Sequence, residues 1–161
     1  MRVYAWGSLE PRFTEEIPYR ILKPCQQVFT ASVDSLVEKA KCGSAESCFL
    51  FLHLGDPDTG PTSWLPLTTI RGTKGLEKPD LKITKVSTDT TNASTFIIDI
   101  STNRPAPFVW LEATGFKGRF SDNGFLLCEI TSSVRFYAWE TVSEETLRIA
   151  LTVTSLMDVY R

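Results

Sequence analysis

Histidine is almost missing from this sequence of 161 residues, and cysteine is scarce. A Ser-His-Asp arrangement would have to use His53, the only histidine, which lies within a nearly continuous apolar segment. A packed histidine is therefore a better interpretation than a general base. Two of the cysteines, Cys42 and Cys48, lie close together, but no second Cys or His pair follows at the spacing of a metal site. We expect neither a metal site nor catalytic residues of these classes.

Long apolar runs and an excess of one charge are also missing. No stretch approaches the ~18 apolar residues that a membrane helix needs, and the start MRVYAWGSLEP lacks the apolar core of a signal peptide. The 17 Lys and Arg residues nearly balance the 19 Asp and Glu residues. Because these charges are spread over both halves, no basic stripe is available for nucleic acid. We therefore expect no membrane partner and no nucleic-acid partner.

Cofactor-binding motifs are absent as well. No glycine-rich phosphate loop follows any predicted strand, so no cofactor is expected. The chain is also too short to contain a whole (β/α)8 barrel, which typically takes about 250 residues. The remaining possibilities are small soluble domains with an ordinary core.

Alternation of apolar and polar residues is the main positive signal. In the segment 95–100, Phe96, Ile98 and Ile100 share one face, as in a half-buried antiparallel strand. Similar patterns predict strands at residues 2–6, 19–22, 27–31, 49–54, 64–68, 81–87, 108–112, 116–120, 125–130, 134–139 and 147–153. The sequence thus predicts an all-β fold.

One short helix is predicted near residues 33–41. Apolar side chains recur there at the i, i+3, i+4, i+7 spacing of a helix: Val33, Leu36, Val37 and Ala40. Either Ser32 or Asp34 can cap its first turn.

The segment 71–79, RGTKGLEKP, predicts a boundary between two domains, residues 1–75 and 76–161. It combines glycines, cations and a closing proline without apolar periodicity. The second half has about seven predicted strands separated by turn signals, a spacing typical of an immunoglobulin-like β-sandwich. The first half is predicted to be a similar sandwich that lacks its first strand, because a sandwich starting at Arg2 would leave a ladder edge unpaired.

Cysteine and asparagine motifs suggest two covalent modifications. Cys42 and Cys48 flank a Gly/Ser/Glu loop, and they either form a disulfide in an oxidising compartment or remain reduced thiols at a helix end. Cys25 and Cys128 are predicted to be lone thiols. Asn92 begins an Asn-Ala-Ser acceptor for N-glycosylation.

A turn is predicted where Ser121, Asp122, Asn123 and Gly124 follow one another. We expect a two-residue reversal between two paired strands, in which Asn123 and Gly124 supply the positive φ angles. The loop is either purely structural or functional, since loops carry function more often than strands do.

The four tryptophans allow two interpretations: Trp6, Trp64, Trp110 and Trp139. They could form a platform on which sugar rings stack. Burial in a core or between domains is the better prediction for each, because sandwiches commonly bury a central-strand tryptophan.

Four segments of the second half carry a family resemblance: APFVWLE (106–112), GRFSDNGFLL (118–127), RFYAWE (135–140) and VTSLMDVY (153–160). In order and spacing they closely resemble the C-terminus of animal lysosomal β-mannosidases. In the first half, VYAWGSLE (3–10), the helix near Leu36 and the Cys42/Cys48 loop are similar to the preceding immunoglobulin-like domain of that family. The resemblance thus covers nearly the whole chain.

The resemblance implies a place in glycoside hydrolase family 2, whose β-mannosidases remove terminal non-reducing β-mannosyl residues during glycoprotein breakdown in the lysosome. The chain would correspond to part of the fourth domain and to the fifth. The implied partners are the catalytic TIM barrel and the other domains, and a β-mannosidic oligosaccharide would be bound only through the parent enzyme. For the functional alternative of the 121–124 loop, the resemblance implies that Ser121, Asp122 and Asn123 lie near the sugar pocket. The family's catalytic pair, which includes a glutamate after an asparagine, belongs to the barrel. No Asn-Glu dipeptide occurs here, so no catalytic residue is carried over.

A free-standing β-sandwich that binds carbohydrate or protein is the alternative interpretation. Such a module should have a complete first sandwich. A fragment of a larger enzyme should instead expose apolar surface, mostly on residues 1–70.

Overall fold

Strands dominate both halves of the computed structural model, which describes residues 1–55 and 60–159. The elements are β1 (Arg2–Ala5), β2 (Pro11–Thr14), α1 (Val33–Lys39), β3 (Cys48–His53), β4 (Thr62–Pro66), β5 (Lys82–Asp89), β6 (Asn92–Ser101), β7 (Ala106–Ala113), β8 (Gly118–Phe120), β9 (Phe125–Leu127), β10 (Thr131–Ala138), α2 (Glu144–Ala150), β11 (Leu151–Thr154) and α3 (Leu156–Val159). The strands form three antiparallel sheets, which confirms the predicted all-β, immunoglobulin-like fold class. The chain divides into two compact units, Met1–Leu76 and Glu77–Arg161.

The first unit contains a sheet of order β2-β1-β3-β4. Val3 lies opposite Phe13 on β2 and Leu50 on β3, so their side chains share one face of the sheet. Leu36 of α1 packs on this face together with Val3. The predicted helix is confirmed, and the Ser32 side chain caps it by accepting a hydrogen bond from a backbone amide of its first turn.

Aromatic side chains occupy the opposite face of this sheet. The rings of Tyr4 and Phe49 stack with centroids 5.3 Å apart, and Trp6 lies 4.5 Å from Phe49. Trp64 meets the edge of Trp6 at 6.2 Å. Tyr4, Trp6 and Phe49 are buried, so the packing prediction for Trp6 is confirmed.

A disulfide joins Cys42, just beyond α1, to Cys48 at the start of β3, with Cα atoms 6.1 Å apart. Cys48 is fully buried. The disulfide therefore fixes the end of the helix to the sheet on which the helix packs. Of the other two cysteines, Cys25 is exposed and Cys128 is buried.

The second unit contains two sheets, of order β5-β6-β10-β8 and β11-β7-β9. In the first, Phe96 pairs with Phe136 and Ile98 pairs with Val134 across β6 and β10. A single core joins the inward faces of both sheets: Phe96, Ile98, Ile100, Ala106, Val109, Leu111, Leu127, Val134, Phe136, Ala138, Leu147 and Leu151. The alternation predicted for these strands is therefore confirmed by their burial.

The predicted strand at 147–153 is wrong in its first part. Residues Glu144–Ala150 form α2, capped by the Ser143 side chain, and β11 begins only at Leu151. Leu147 and Leu151 are four residues apart and both are buried, a spacing that suits one helical face as well as one strand face. The Ser143 cap and the two glutamates that follow it favour the helix.

The predicted strands at 19–22 and 27–31 are also wrong, because both segments are irregular. The Gln26 side chain accepts from the Leu22 amide at 2.9 Å and donates to the Arg20 carbonyl at 3.0 Å. These local bonds satisfy backbone groups that a strand would pair with a neighbour. Leu22 is 73% exposed, so its apolar pattern does not reflect a buried face.

Removing the disulfide should lower stability. The double variant Cys42→Ala/Cys48→Ala should reduce the free energy of unfolding by about 2 kcal/mol, because opening this short loop restores freedom to the unfolded chain. Cys25→Ala, which removes an exposed thiol, should change it by less than ~0.5 kcal/mol. Urea unfolding, followed by a spectroscopic signal from the first unit with and without a reductant, measures the unfolding free energy of both variants. Insensitivity of the unmodified protein to the reductant would contradict a structural disulfide.

Asp158 should stabilise the second unit in a pH-dependent way. A hydrogen bond from Lys78, followed by bonds from Ser155, lowers the pKa of the Asp158 carboxyl. Asp158→Asn should therefore cost about 1 kcal/mol at pH 7. The difference from the unmodified protein should disappear as the pH falls from the ordinary carboxyl pKa of ~3.9 through the lower folded value, because protonation removes the same charge. Urea titrations at several pH values measure this difference in unfolding free energy, with Glu129→Gln as the control. A difference between Asp158→Asn and the unmodified protein that persists in acid would contradict the role of the Asp158 charge.

Candidate functional site

The segment from Ser121 to Gly124 passes between the two sheets of the second unit. The strand before it, β8, pairs with β10, whereas the strand after it, β9, pairs with β7. The prediction of a reversal between two paired strands is therefore wrong. Gly124 does adopt a positive φ of 79°, which glycine accepts without strain. Asn123 is not among the described residues with positive φ.

Asn123 takes the place of a strand residue beside β7. Its side-chain oxygen accepts from the Leu111 amide at 2.7 Å, and its side-chain nitrogen donates to the Leu111 carbonyl at 3.0 Å. The Gly124 amide donates to the Val109 carbonyl at 2.7 Å. Because both side-chain hydrogen bonds of Asn123 go to the backbone of β7, its carboxamide group is already used by the fold.

The other two residues of the predicted loop also make local bonds. Ser121 accepts from the Arg135 amide through its hydroxyl at 3.0 Å and donates its own amide to the Arg135 carbonyl at 2.7 Å. Asp122 accepts from the Asn123 amide at 2.8 Å through one carboxylate oxygen. Ser121 and Asn123 thus bond to neighbouring strands, whereas this hydrogen bond of the Asp122 side chain stays within the turn. Ser121 and Asp122 are both exposed, and Asn123 is half-buried.

The outward face of β7 carries an exposed aromatic surface. Val109 and Leu111 are buried, so the alternation places Phe108, Trp110 and Glu112 on the outside, and we call these three residues the Trp110 surface. Trp110 is 49% exposed. Trp110 therefore does not lie in the core of the second unit, and packing between domains, the other part of its prediction, stays a prediction.

The Trp110 surface lies where the 121–124 turn is attached, since that turn bonds to Val109 and Leu111 on either side of Trp110. Phe108 has a positive φ of 54°, which is rare for a bulky side chain and costs of order 1–3 kcal/mol. Trp139, just after β10, is 70% exposed, so it too lies outside the core, and its packing between domains stays a prediction.

Among the described residues, three carboxyl groups have shifted pKa values, all in the same direction. Thr91 hydroxyl and amide donors lower the pKa of Asp89, and the Thr88 hydroxyl and amide lower that of Glu144. Lys78 does the same for Asp158. A glycosidase acid needs a raised pKa instead. These carboxylates act as ionised acceptors that hold turns and helix ends in place.

An apolar groove of about 770 Å³ lies in the first unit, beside the irregular segment before α1. Tyr19, Phe29 and Leu50 are among its lining residues, and His53 lies at its rim at the end of β3. None of the described lining residues is Asp or Glu. The groove therefore offers His53 no acidic partner within the described part of the chain.

Asn92, the predicted glycosylation acceptor, begins β6 and is exposed. In residues 1–55 and 60–159, no group of three or more His, Cys, Asp or Glu side chains is placed to hold a metal ion. The same residues include no helix long and apolar enough to cross a membrane.

Comparison with known proteins points to one enzyme class. Residues 76–159 match the family model Ig_mannosidase, an Ig-fold domain. The chain is 34% identical to the β-mannosidase of Bos taurus, 33% identical to that of Capra hircus and 30% identical to that of Mus musculus. Each alignment covers 99% of this chain but only 18% of the relative's length.

Truncating Asn123 should destabilise the second unit. Asn123→Ala leaves the Leu111 amide and carbonyl without partners, which should cost about 2 kcal/mol of unfolding free energy. Asp122→Asn keeps an acceptor for the Asn123 amide and should stay within ~0.5 kcal/mol of the unmodified protein. Urea unfolding measures both variants. Equal stability of the two would contradict the structural role of Asn123.

Proposed function

Because the chain belongs to the Ig_mannosidase family of Ig-fold domains, we propose that it is a non-catalytic accessory region of a β-mannosidase. The parent enzyme would hydrolyse terminal non-reducing β-D-mannose residues from oligosaccharides, with retention, during glycoprotein breakdown in the lysosome. The observation that carries this proposal is the alignment of 99% of the chain with 18% of the relatives' length.

Catalysis in this proposal belongs to another part of the parent enzyme. A retaining glycosidase needs two carboxyl groups about 5–5.5 Å apart, one with a raised pKa. The described carboxyl groups with a shifted pKa have lowered values, because local donors bond to the ionised form. Glu144, which accepts from the amide and hydroxyl of Thr88, is an example. The chain would thus contribute packing and stability rather than reacting groups.

The Trp110 surface is the proposed contact with the catalytic barrel. Tryptophan at the centre of an interface buries a large apolar area, and Trp110 is half exposed in this chain. Asp122 precedes Asn123 in the turn that is attached to β7, and one of its carboxylate oxygens is bonded within that turn. In the assembled enzyme, Asp122 would border the barrel loops near the sugar pocket.

A free-standing binding module is the second candidate, and the same exposure of Trp110 favours it. An exposed tryptophan face can stack on a sugar ring. The two candidates differ in what Trp110 contacts. In an accessory region Trp110 would contact another protein surface, whereas in a binding module it would contact a sugar.

A chimeric enzyme tests the accessory role. The 164 aligned residues of bovine β-mannosidase would be replaced by this chain, and hydrolysis of p-nitrophenyl β-D-mannoside would be measured. The chimera should be active, whereas an enzyme with a flexible linker at this place should lose at least tenfold in active yield. The isolated chain should hydrolyse nothing above the buffer rate. Full activity of the linker enzyme would contradict an accessory role.

Two tryptophan variants of the chimera separate the candidates. Trp110→Ser should lower the melting temperature by several degrees with an unchanged KM, because an interface contact is lost. Trp139→Ser, the matched control, should leave both unchanged. If Trp110→Ser behaves like the control, and if the isolated chain binds β-1,4-mannotriose through Trp110 in a titration, the binding module is correct instead.

A further inference from the structure

We propose that Asn92 is an N-glycosylated residue, carrying an oligosaccharide at the tip of the hairpin formed by β5 and β6. Asn92, Ala93 and Ser94 supply the Asn-X-Ser acceptor, in which the residue between is not proline. The chain has two other asparagines, Asn103 and Asn123, and neither has Ser or Thr two residues later.

The covalent step joins the Asn92 side-chain nitrogen to a sugar. The donor is an oligosaccharide on a polyisoprenyl pyrophosphate. A bond forms between Nδ2 and the anomeric carbon, and the bond between that carbon and the phosphate oxygen breaks. The polyisoprenyl pyrophosphate leaves with the electron pair, and Nδ2 loses one of its two protons to a base of the transferase. The product is neutral at the amide and keeps one N–H.

The acceptor lies at an exposed turn of the fold. Asn92 pairs with Asp89 at the end of the β5–β6 ladder, so only two residues separate the strands. Asp89 orders the turn by accepting from the amide and hydroxyl of Thr91 at 2.8 and 2.6 Å. Asn92, Ala93 and Ser94 are all exposed. A bulky glycan at this tip would meet solvent rather than the core.

The hydrogen bonding of the Asn92 side chain leaves Nδ2, the atom that reacts, available. The Asn92 side-chain oxygen accepts from the Ser94 amide at 2.9 Å, while Nδ2 has no hydrogen-bond partner among the described residues. Asn123 is the opposite case, because its Nδ2 donates to the Leu111 carbonyl at 3.0 Å. Substitution at Nδ2 of Asn92 therefore breaks no bond that the fold uses.

Two further observations fit this site. The Cys42–Cys48 disulfide is typical of proteins that mature in an oxidising compartment, where glycosylation also occurs. Within the second unit, Asn92 belongs to the sheet β5-β6-β10-β8, whereas Trp110 belongs to the sheet β11-β7-β9. A glycan at Asn92 would therefore leave the Trp110 surface open for the contact proposed above.

Passage through the secretory lumen rests on the proposed function, so the test supplies that route directly. The 161-residue chain would be expressed in mammalian cells behind a cleavable secretion signal. Total cell and medium protein would be treated with peptide N-glycosidase. We expect a mobility shift equal to one glycan, and conversion of Asn92 to Asp in the peptide mass spectrum. Failure of the chimeric enzyme would not affect this result.

Four variants make the assignment specific. Asn92→Gln and Ser94→Ala should each abolish the shift, and Ser94 has no side-chain hydrogen bond among the described residues for the second change to disturb. Ser94→Thr should keep the shift, and so should the control Asn103→Gln. An unglycosylated chain recovered from the lumen, or a shift that persists in Asn92→Gln, would overturn the proposal. Because the mobility shift is measured on the chain from the lumen as well as on the secreted chain, poor secretion would not obscure the outcome.

Discussion

The shared core between the two sheets of the second unit determines what that unit presents to its surroundings. Val109 and Leu111 of β7 are buried in this core, and strand alternation then forces Trp110 outward. The connection at 121–124 must carry the chain from one sheet to the other, and Asn123 closes it by pairing with the Leu111 backbone. The interior packing and the exposed tryptophan are thus two results of one constraint.

Two carboxylates of the second unit also stabilise its fold through local hydrogen bonds. Glu144 holds the backbone near the end of β5, and Asp158 holds Ser155 and Lys78 near the chain end. Each accepts hydrogen bonds as an anion, which accounts for its lowered pKa. In the proposed function, the sheet that contains β7 contacts the catalytic barrel, and the other sheet of the second unit carries the proposed glycan at Asn92.

Sequence reasoning succeeded where one periodicity was consistent with one structure. The alternation at Phe96 and Ile98 fits only a strand, and the Ser32 cap with helical spacing fits only a helix. It failed where two structures fit the same pattern, as for Leu147 and Leu151, which are four residues apart. It also failed to exclude Trp110 from the core, because hydrophobicity alone favours burying the aromatic residue, whereas the core selects the aliphatic pair that flanks it. The role of Asn123 depends on a neighbour twelve residues away, which no local pattern reveals.

Hydroxyl-radical footprinting would show whether the Trp110 surface packs against the rest of a β-mannosidase. Oxidation of Trp110 would be quantified by mass spectrometry in the isolated chain and in the chimeric β-mannosidase, with Trp139 as the internal reference. If the Trp110 surface packs against the rest of the enzyme, Trp110 should be oxidised readily in the isolated chain and at least fivefold less in the chimera, a drop expected for a contact residue that loses most of its exposed area. Equal oxidation of Trp110 in both proteins would contradict the account.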